Sequence, residues 1–243
     1  MPQLFLRLKK MYKVFGDLET LAIFFRYRVV ATYEHESILR DLKPNLVVDV
    51  GANYGQFSLL CSKIWPQAQI IAFEPIPKCF NKMKQIFTSK SNIIIHNVAL
   101  GNYNGESSFH ISKSIDSSSL LEITELQNSI FRKTYEKKQT IVKVTTLKDA
   151  LEGVELPSGS ILKIDVQGGE FEVLEGAVNT LQTFDYIFVE LSFFELYLEQ
   201  KLAGSTIVFL SSQGFKLIQM GNVYVKKTVG VIQADFLFQR ISS

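Results

Sequence analysis

Apolar positions recur along this chain in two rhythms, and their alternation sets the first expectation. Leu46–Val50 and Ile70–Phe73 are short, nearly unbroken apolar runs, as expected of strands covered on both faces. Between them Phe57, Leu60, Cys61 and Ile64 recur at i, i+3, i+4, i+7. That spacing predicts a helix over 55–65 packing one face on a sheet, stopped by Pro66. A further helix carries Phe80, Met83 and Phe87 as its seam, and Ile93-Ile94-Ile95 opens a third strand running to about Leu100. The order β-α-β-α-β means a parallel sheet with right-handed crossovers.

The middle breaks the rhythm. Residues 101–146 hold Gly101, Gly105, serine clusters and two β-prone runs, 106–112 and 140–146, which predict a hairpin-like excursion around a long loop. The parallel pattern resumes with strand Ile161–Val166, a helix from Gly168 with Phe171, Leu174, Val178 and Leu181 as its seam, and strand Tyr186–Leu191. A helix near 193–211 and short strands around 214–219, 223–226 and 235–240 predict an antiparallel finish. No stretch reads as a linker. The expectation is one domain over 1–243, with a helical cap over 1–43 and an α/β core over 44–243.

Composition narrows the class. The chain has 243 residues, 47% hydrophobic and 21% charged, enough for a large core, and its net charge of +2 does not call for a nucleic-acid partner. Cys61 and Cys79 fall in predicted helices and read as buried thiols; His35, His96 and His110 are too dispersed for a metal site. Residues 4–15 mix Leu4, Phe5, Leu6 and Leu8 with Arg7, Lys9, Lys10 and Lys13. They read as a helix capping the core, with peripheral membrane contact through residues 1–15 left open. The run Leu21–Phe25 ends at Arg26 without a small-residue cleavage site, so a cytoplasmic protein is expected.

Candidate chemistry lies at the first two strand ends. Val47-Val48-Asp49-Val50-Gly51-Ala52-Asn53-Tyr54-Gly55 joins a strand to a glycine turn, and Ile70–Pro75 ends a second strand in Glu74. Glu74 follows Gly51 at close to the spacing of about 20 residues at which an acid takes ribose hydroxyls. A dinucleotide turn wants glycine where Asn53 stands, and Asp49 is a poor neighbour for a pyrophosphate. A carboxylate suits the ammonium and sulfonium of a methionine-like tail instead. A plain strand-to-helix turn with cap chemistry is the alternative.

These residues carry a resemblance. D-V-G-A-N-x-G (Asp49 to Gly55), A-F-E-P (Ala72 to Pro75), A-L-G (Ala99 to Gly101), S-S-L-L (Ser118 to Leu121), K-I-D-V-Q-G-x-E (Lys163 to Glu170) and V-E-L (Val189 to Leu191) together resemble the FkbM-type family. Its members are S-adenosylmethionine-dependent methyltransferases, and the likeness spans about residues 46–218. It implies a Rossmann-like class I methyltransferase sheet. It also implies that Gly51, Ala52, Asn53 and Gly55 line the methionine end of S-adenosyl-L-methionine, with Asp49 near its amino group. Glu74, followed by Pro75, would take the ribose hydroxyls, and Asn97 to Leu100, including Ala99, would border the adenine.

Asp165 and Glu190 end consecutive parallel strands, where open α/β sheets bind their ligands, so they are the candidate general bases, with His110 third. Asp165 equally suits a helix cap, and Glu170 reads as charge at a helix N-terminus. Family members often carry glutamate where Gln167 stands, which weakens a metal held by residues 165, 167 and 170, and a metal-independent reaction is expected. The turn that base N-methylation uses is absent at Asp165-Val166-Gln167-Gly168. The resemblance implies a hydroxyl acceptor on a sugar, glycan or secondary metabolite; loop 112–139, rich in serine and bearing Phe131 and Tyr135, reads as an acceptor lid, with a disordered surface loop as the alternative. A nicotinamide oxidoreductase and a non-catalytic interaction module are the competing readings.

Overall fold

The computed structural model describes residues 16–241. The N-terminal segment proposed for membrane contact lies outside them. The described chain starts with α1 (Leu18–Tyr27) and α2 (Glu36–Leu39), then runs β1 (Leu46–Val50), α3 (Gln56–Ile64), β2 (Gln69–Phe73), α4 (Pro77–Ile86) and β3 (Ile93–His96). The excursion contributes β4 (Ala99–Gly101), β5 (Gly105–Ser112), α5 (Glu125–Ile130) and β6 (Glu136–Thr146). After α6 (Leu147–Ala150) come β7 (Ser160–Ile164), α7 (Glu170–Gly176), α8 (Val178–Leu181), β8 (Tyr186–Ser192), α9 (Ala203–Ser212), β9 (Phe215–Lys226) and β10 (Gly230–Arg240).

The large sheet has the order β3-β2-β1-β7-β8-β10-β9. Its first five strands are parallel, and β10 inserts antiparallel between β8 and β9. The alternating sequence is thus explained, and the antiparallel finish is present, as one long hairpin in place of three short strands. Apolar side chains fill both faces. Leu46, Val48 and Val50 point under α7 to α9, while Val47 points under α1 to α4. No helix among the described residues is long and apolar enough to cross a membrane.

Three boundaries differ from the sequence reading, each for a local reason. The third strand is broken at Asn97, whose side-chain amide donates to Glu74 O (2.8 Å) and Pro75 O (3.0 Å). Its second half, β4, leaves the large sheet and joins β5 and β6 in a three-stranded sheet of its own. Residues 193–202 are irregular instead of helical. There Gln200 Oε1 accepts from Leu196 N (3.0 Å) and Thr124 Oγ1 donates to Leu196 O (2.9 Å), so side chains take the bonds a helix would have used. The helix after Gly168 splits at Ala177, leaving Val178 exposed and Leu174 and Leu181 buried. Cys61 and Cys79 are buried free thiols, as expected.

Candidate active site

The turn after β1 is pinned to the end of β2. Gly51 N and Ala52 N both donate to Phe73 O, at 3.1 and 3.0 Å. Gly51 has φ +75°, and a Cβ there would lie 1.9 Å from Asp165 O. The turns after β1 and β7 therefore pass backbone against backbone, and only glycine fits. Asn53, also left-handed at φ 52°, turns its N–H onto Glu74 Oε2 (2.7 Å), and Ile76 N donates to Glu74 Oε1 (2.8 Å). The buried Glu74 carboxyl is thus fixed by two backbone amides. Burial still pushes it up, to about 7, against the lowering effect of those two bonds.

Strand alternation places a polar row on the sheet face beneath α3. Asp49 and Lys163 are partners in register on β1 and β7, and Glu190 and Asp235 are partners on β8 and β10. Asp49 is fully buried, its oxygens meeting Ser58 Oγ (2.7 Å) and Lys163 Nζ (3.0 Å). Lys163 Nζ also donates to Val50 O (3.2 Å) and Gly51 O (3.0 Å), and stands 4.0 Å from Asp165 Oδ2. Burial opposes its charge, but Asp49 and Asp165 outweigh that and hold the ammonium above its usual range. Burial, then Asp165 and Asp235, push Glu190 well above the carboxylate range; burial first pushes Asp235 up to about 7. His35 packs edge-on against Phe188 and puts Nε2 3.3 Å from Asp235 Oδ2.

The excursion closes onto this row through Gln167, itself left-handed at φ 62°. Gln167 Nε2 donates to Asp165 Oδ1 (2.7 Å) and reaches Glu190 Oε2 at 3.5 Å. Its Oε1 accepts from Tyr197 Oη (2.9 Å), and its carbonyl accepts from Ser119 Oγ (2.6 Å). Gln127 Nε2 donates in turn to Tyr197 Oη (3.2 Å). Glu170 accepts from Val166 N and Gly168 N, both at 3.0 Å, so it fastens the loop that carries Gln167.

A cavity of about 330 Å³ runs between these groups. It brings together Gly51, Ala52, Asn53, Glu74 and Pro75 on one side, Ala99 and Leu100 at one end, and Asp165 and Glu190 at the other. Three expected residues stay off its wall. Asp49 faces α3, because strand alternation turns it to the Val47 side. Gly55 caps α3, where a Cβ would meet Phe87 at 2.6 Å. Asn97 braces the loop after β2. From the excursion, Phe131 lines the cavity and packs at a tilt against Tyr224, whereas Tyr135 is exposed and His110, 2.5 Å from Glu136, is off the wall.

The sequence reading missed His35, Lys163, Gln233 and the Tyr197 anchor. Lys163 had a signal: a charge inside the run Ile161-Leu162-Lys163-Ile164 has to be paired. Among the described residues, no group of three or more histidine, cysteine or acidic side chains is arranged to hold a metal ion.

Comparison with known proteins follows from this geometry. The sequence profile of a family described as the methyltransferase FkbM domain matches residues 49–217. The hexuronic acid methyltransferase AglP of Haloferax volcanii is 29% identical over 144 residues, covering 59% of this chain and 54% of that protein. The 2-O-methyltransferase NoeI of Sinorhizobium fredii is 28% identical over 173 residues, covering 67% of this chain and 70% of that protein. The chain thus spans about half the length of the first relative. Among solved structures, the fibrillarin pre-rRNA processing protein of Methanococcus jannaschii superposes with a TM-score of 0.50 at 10% identity, covering 83% of this chain and 69% of that one. That likeness concerns fold alone, the class I methyltransferase sheet with its antiparallel edge.

Proposed function

The chain belongs to the FkbM methyltransferase family, and on that footing we propose that it moves a methyl group from S-adenosyl-L-methionine to a hydroxyl of a sugar, glycan or secondary metabolite. Relatives named for a hexuronic acid and for 2-O-methylation support that acceptor class. The observation that carries the cofactor reading is Glu74, held by two amides on the cavity wall as a ready acceptor for a pair of ribose hydroxyls.

The donor set fits this cofactor. Carboxyl groups of Glu74, Asp116, Asp165 and Glu190 line the cavity, and Lys163 and His35 are the only described lining residues able to carry positive charge. Such a wall favours a ligand of net positive charge and disfavours a diphosphate, which argues against a nicotinamide dinucleotide. Gly51, Ala52 and Asn53 would border the methionine end, and Ile76, Val98, Ala99 and Leu100 offer an apolar slot for the adenine. When bound, S-adenosylmethionine supplies an electrophilic methyl group on a sulfonium.

The chain's own work is to hold the acceptor oxygen in line, at about 3–3.5 Å from the reacting carbon, and to take its proton. Asp165 is the proton acceptor: Gln167 fixes Oδ1, leaving Oδ2 to receive the hydroxyl hydrogen. Glu190, kept neutral by burial and by its acidic neighbours, donates a hydrogen bond that seats the acceptor. The excursion residues Ser117, Ser118 and Phe131 shield the reaction from water.

The test is calorimetry with S-adenosylhomocysteine and with NAD, followed by incubation with labelled S-adenosylmethionine and extracts of glycans and hydroxylated metabolites. Heat with the sulfur compound alone and a methyl mass gain on a hydroxyl are expected. Heat with NAD in its place would sink the assignment.

A further inference from the structure

The acceptor end of the cavity carries a charge pattern that selects among hydroxylated compounds, an inference that rests on the reading just given. Asp165 faces it as a carboxylate, Glu190 faces it protonated with Asp235 beside it in register, and Asp116 lines the same cavity from the excursion. Against these, Lys163 is already committed. Its ammonium has three protons, and three acceptors surround it: Asp49 Oδ1 at 3.0 Å, Gly51 O at 3.0 Å and Val50 O at 3.2 Å. His35 reaches Asp235 at 3.3 Å, so charge on its ring is matched locally. No guanidinium and no second ammonium of the described residues lies on the wall.

A carboxylate or phosphate on the acceptor would therefore enter a poorly screened space beside the Asp165 carboxylate, with Lys163 and His35 already matched by Asp49 and Asp235. Neutral polar groups, by contrast, are plentiful. Ser117, Ser118, Gln127 and Gln233 offer hydroxyls and amides, and Phe131 adds an aromatic side chain to the same wall. Gln233 occupies the β10 position that pairs with Ser192, and it lines the cavity together with Glu190.

We infer that the moiety methylated beside Asp165 is an uncharged or cationic hydroxylated ring, such as a neutral sugar or an amino sugar, and not a uronate or a sugar phosphate.

The test supplies the wild-type protein with labelled S-adenosylmethionine and three oligosaccharide pools of matched length: neutral glucan, oligouronate and oligoglucosamine. Calorimetry with S-adenosylhomocysteine runs alongside. Methyl incorporation into the neutral or the amino pool should exceed that into the uronate by about tenfold or more. Equal or greater incorporation into the uronate overturns the inference. So does an absence of incorporation in all three pools while S-adenosylhomocysteine still gives heat. An absence of heat would instead condemn the cofactor reading beneath it. Gln233→Lys adds a cation to the same wall and should raise the uronate-to-glucan ratio by about tenfold. An unchanged ratio in a variant with wild-type thermal stability counts against the inference.

Discussion

Tyr197 Oη donates to Gln167 Oε1 over 2.9 Å, and that bond decides which end of the amide meets Asp165. With the oxygen taken, Nε2 has to face Asp165 Oδ1, where it sits at 2.7 Å. Gln167→Glu would replace this donor with a second carboxyl group facing Asp165 Oδ1 and undo its orientation. The expected result is a kcat about 10–100-fold lower with S-adenosylhomocysteine affinity within about threefold. Tyr197→Phe should cost about 1 kcal/mol in urea unfolding and lower kcat less. An unchanged kcat in Gln167→Glu would remove Asp165 from the proton-accepting role.

The two strand-end acids should respond differently to amide substitution. Asp165→Asn removes the proton acceptor, and kcat is expected to fall by about 10²–10⁴. Glu190→Gln keeps a neutral donor of the same shape, so kcat should stay within about tenfold of wild type. Steady-state kinetics on whichever acceptor the extracts yield decides this, and equal losses in both variants would contradict the division of labour.

Gly51→Ala is expected to cost about 3 kcal/mol or more, since the new methyl would meet the Asp165 carbonyl at 1.9 Å in a backbone conformation that alanine avoids. The urea midpoint of the ligand-free protein measures it. A loss below about 1 kcal/mol would mean that the two turns are free to separate.

Ligand-free stability should decline on the way from mildly acidic to neutral pH. Burial raises Glu74 and Glu170 from 4.5, and Asp235 from 3.8, each to about 7. Between those values the folded chain holds protons that the unfolded chain has lost, so rising pH favours unfolding until about pH 7. Asp17 works the other way: against burial, Lys63 and Thr20 hold it down to about 2, and its contribution is lost below about pH 4. The melting temperature should be highest at about pH 4 and fall toward pH 7. A steady rise across that interval, followed by circular dichroism, would contradict the placement of these carboxyls.

Much of the scaffold was legible because it rests on periodicity. Phe57, Leu60 and Cys61 are buried under the helix their spacing predicts, and the buried runs of β1, β2, β7 and β8 sit at the centre of the sheet. The two motifs at the first strand ends meet at the cavity for the same reason: parallel strands deliver their carboxyl ends to one side. Other features depend on contacts distant in sequence. His35 reaches the site from the segment before β1, and Tyr197 packs against the excursion, so no local pattern marks either. Asp49 is a subtler case. Its motif suggested a ligand contact, yet period-two alternation and the Lys163 partner across the strand turn it inward. Of the seam expected for α4, Met83 and Phe87 are buried and Phe80 is half-buried, with Cys79 and Ile86 buried beside them.

The insertion of β10 between β8 and β9 has a consequence for the order in which the molecule assembles. During synthesis β8 and β9 emerge before the strand that must separate them, so any early pairing of the two has to be undone or prevented. Gln233 then arrives last, with Asp235 behind it against Glu190, and the cavity wall is completed only when this late strand slides into place. A chain that ended ahead of Gly230 would thus lack the Gln233 part of the cavity wall and leave β8 without its antiparallel neighbour.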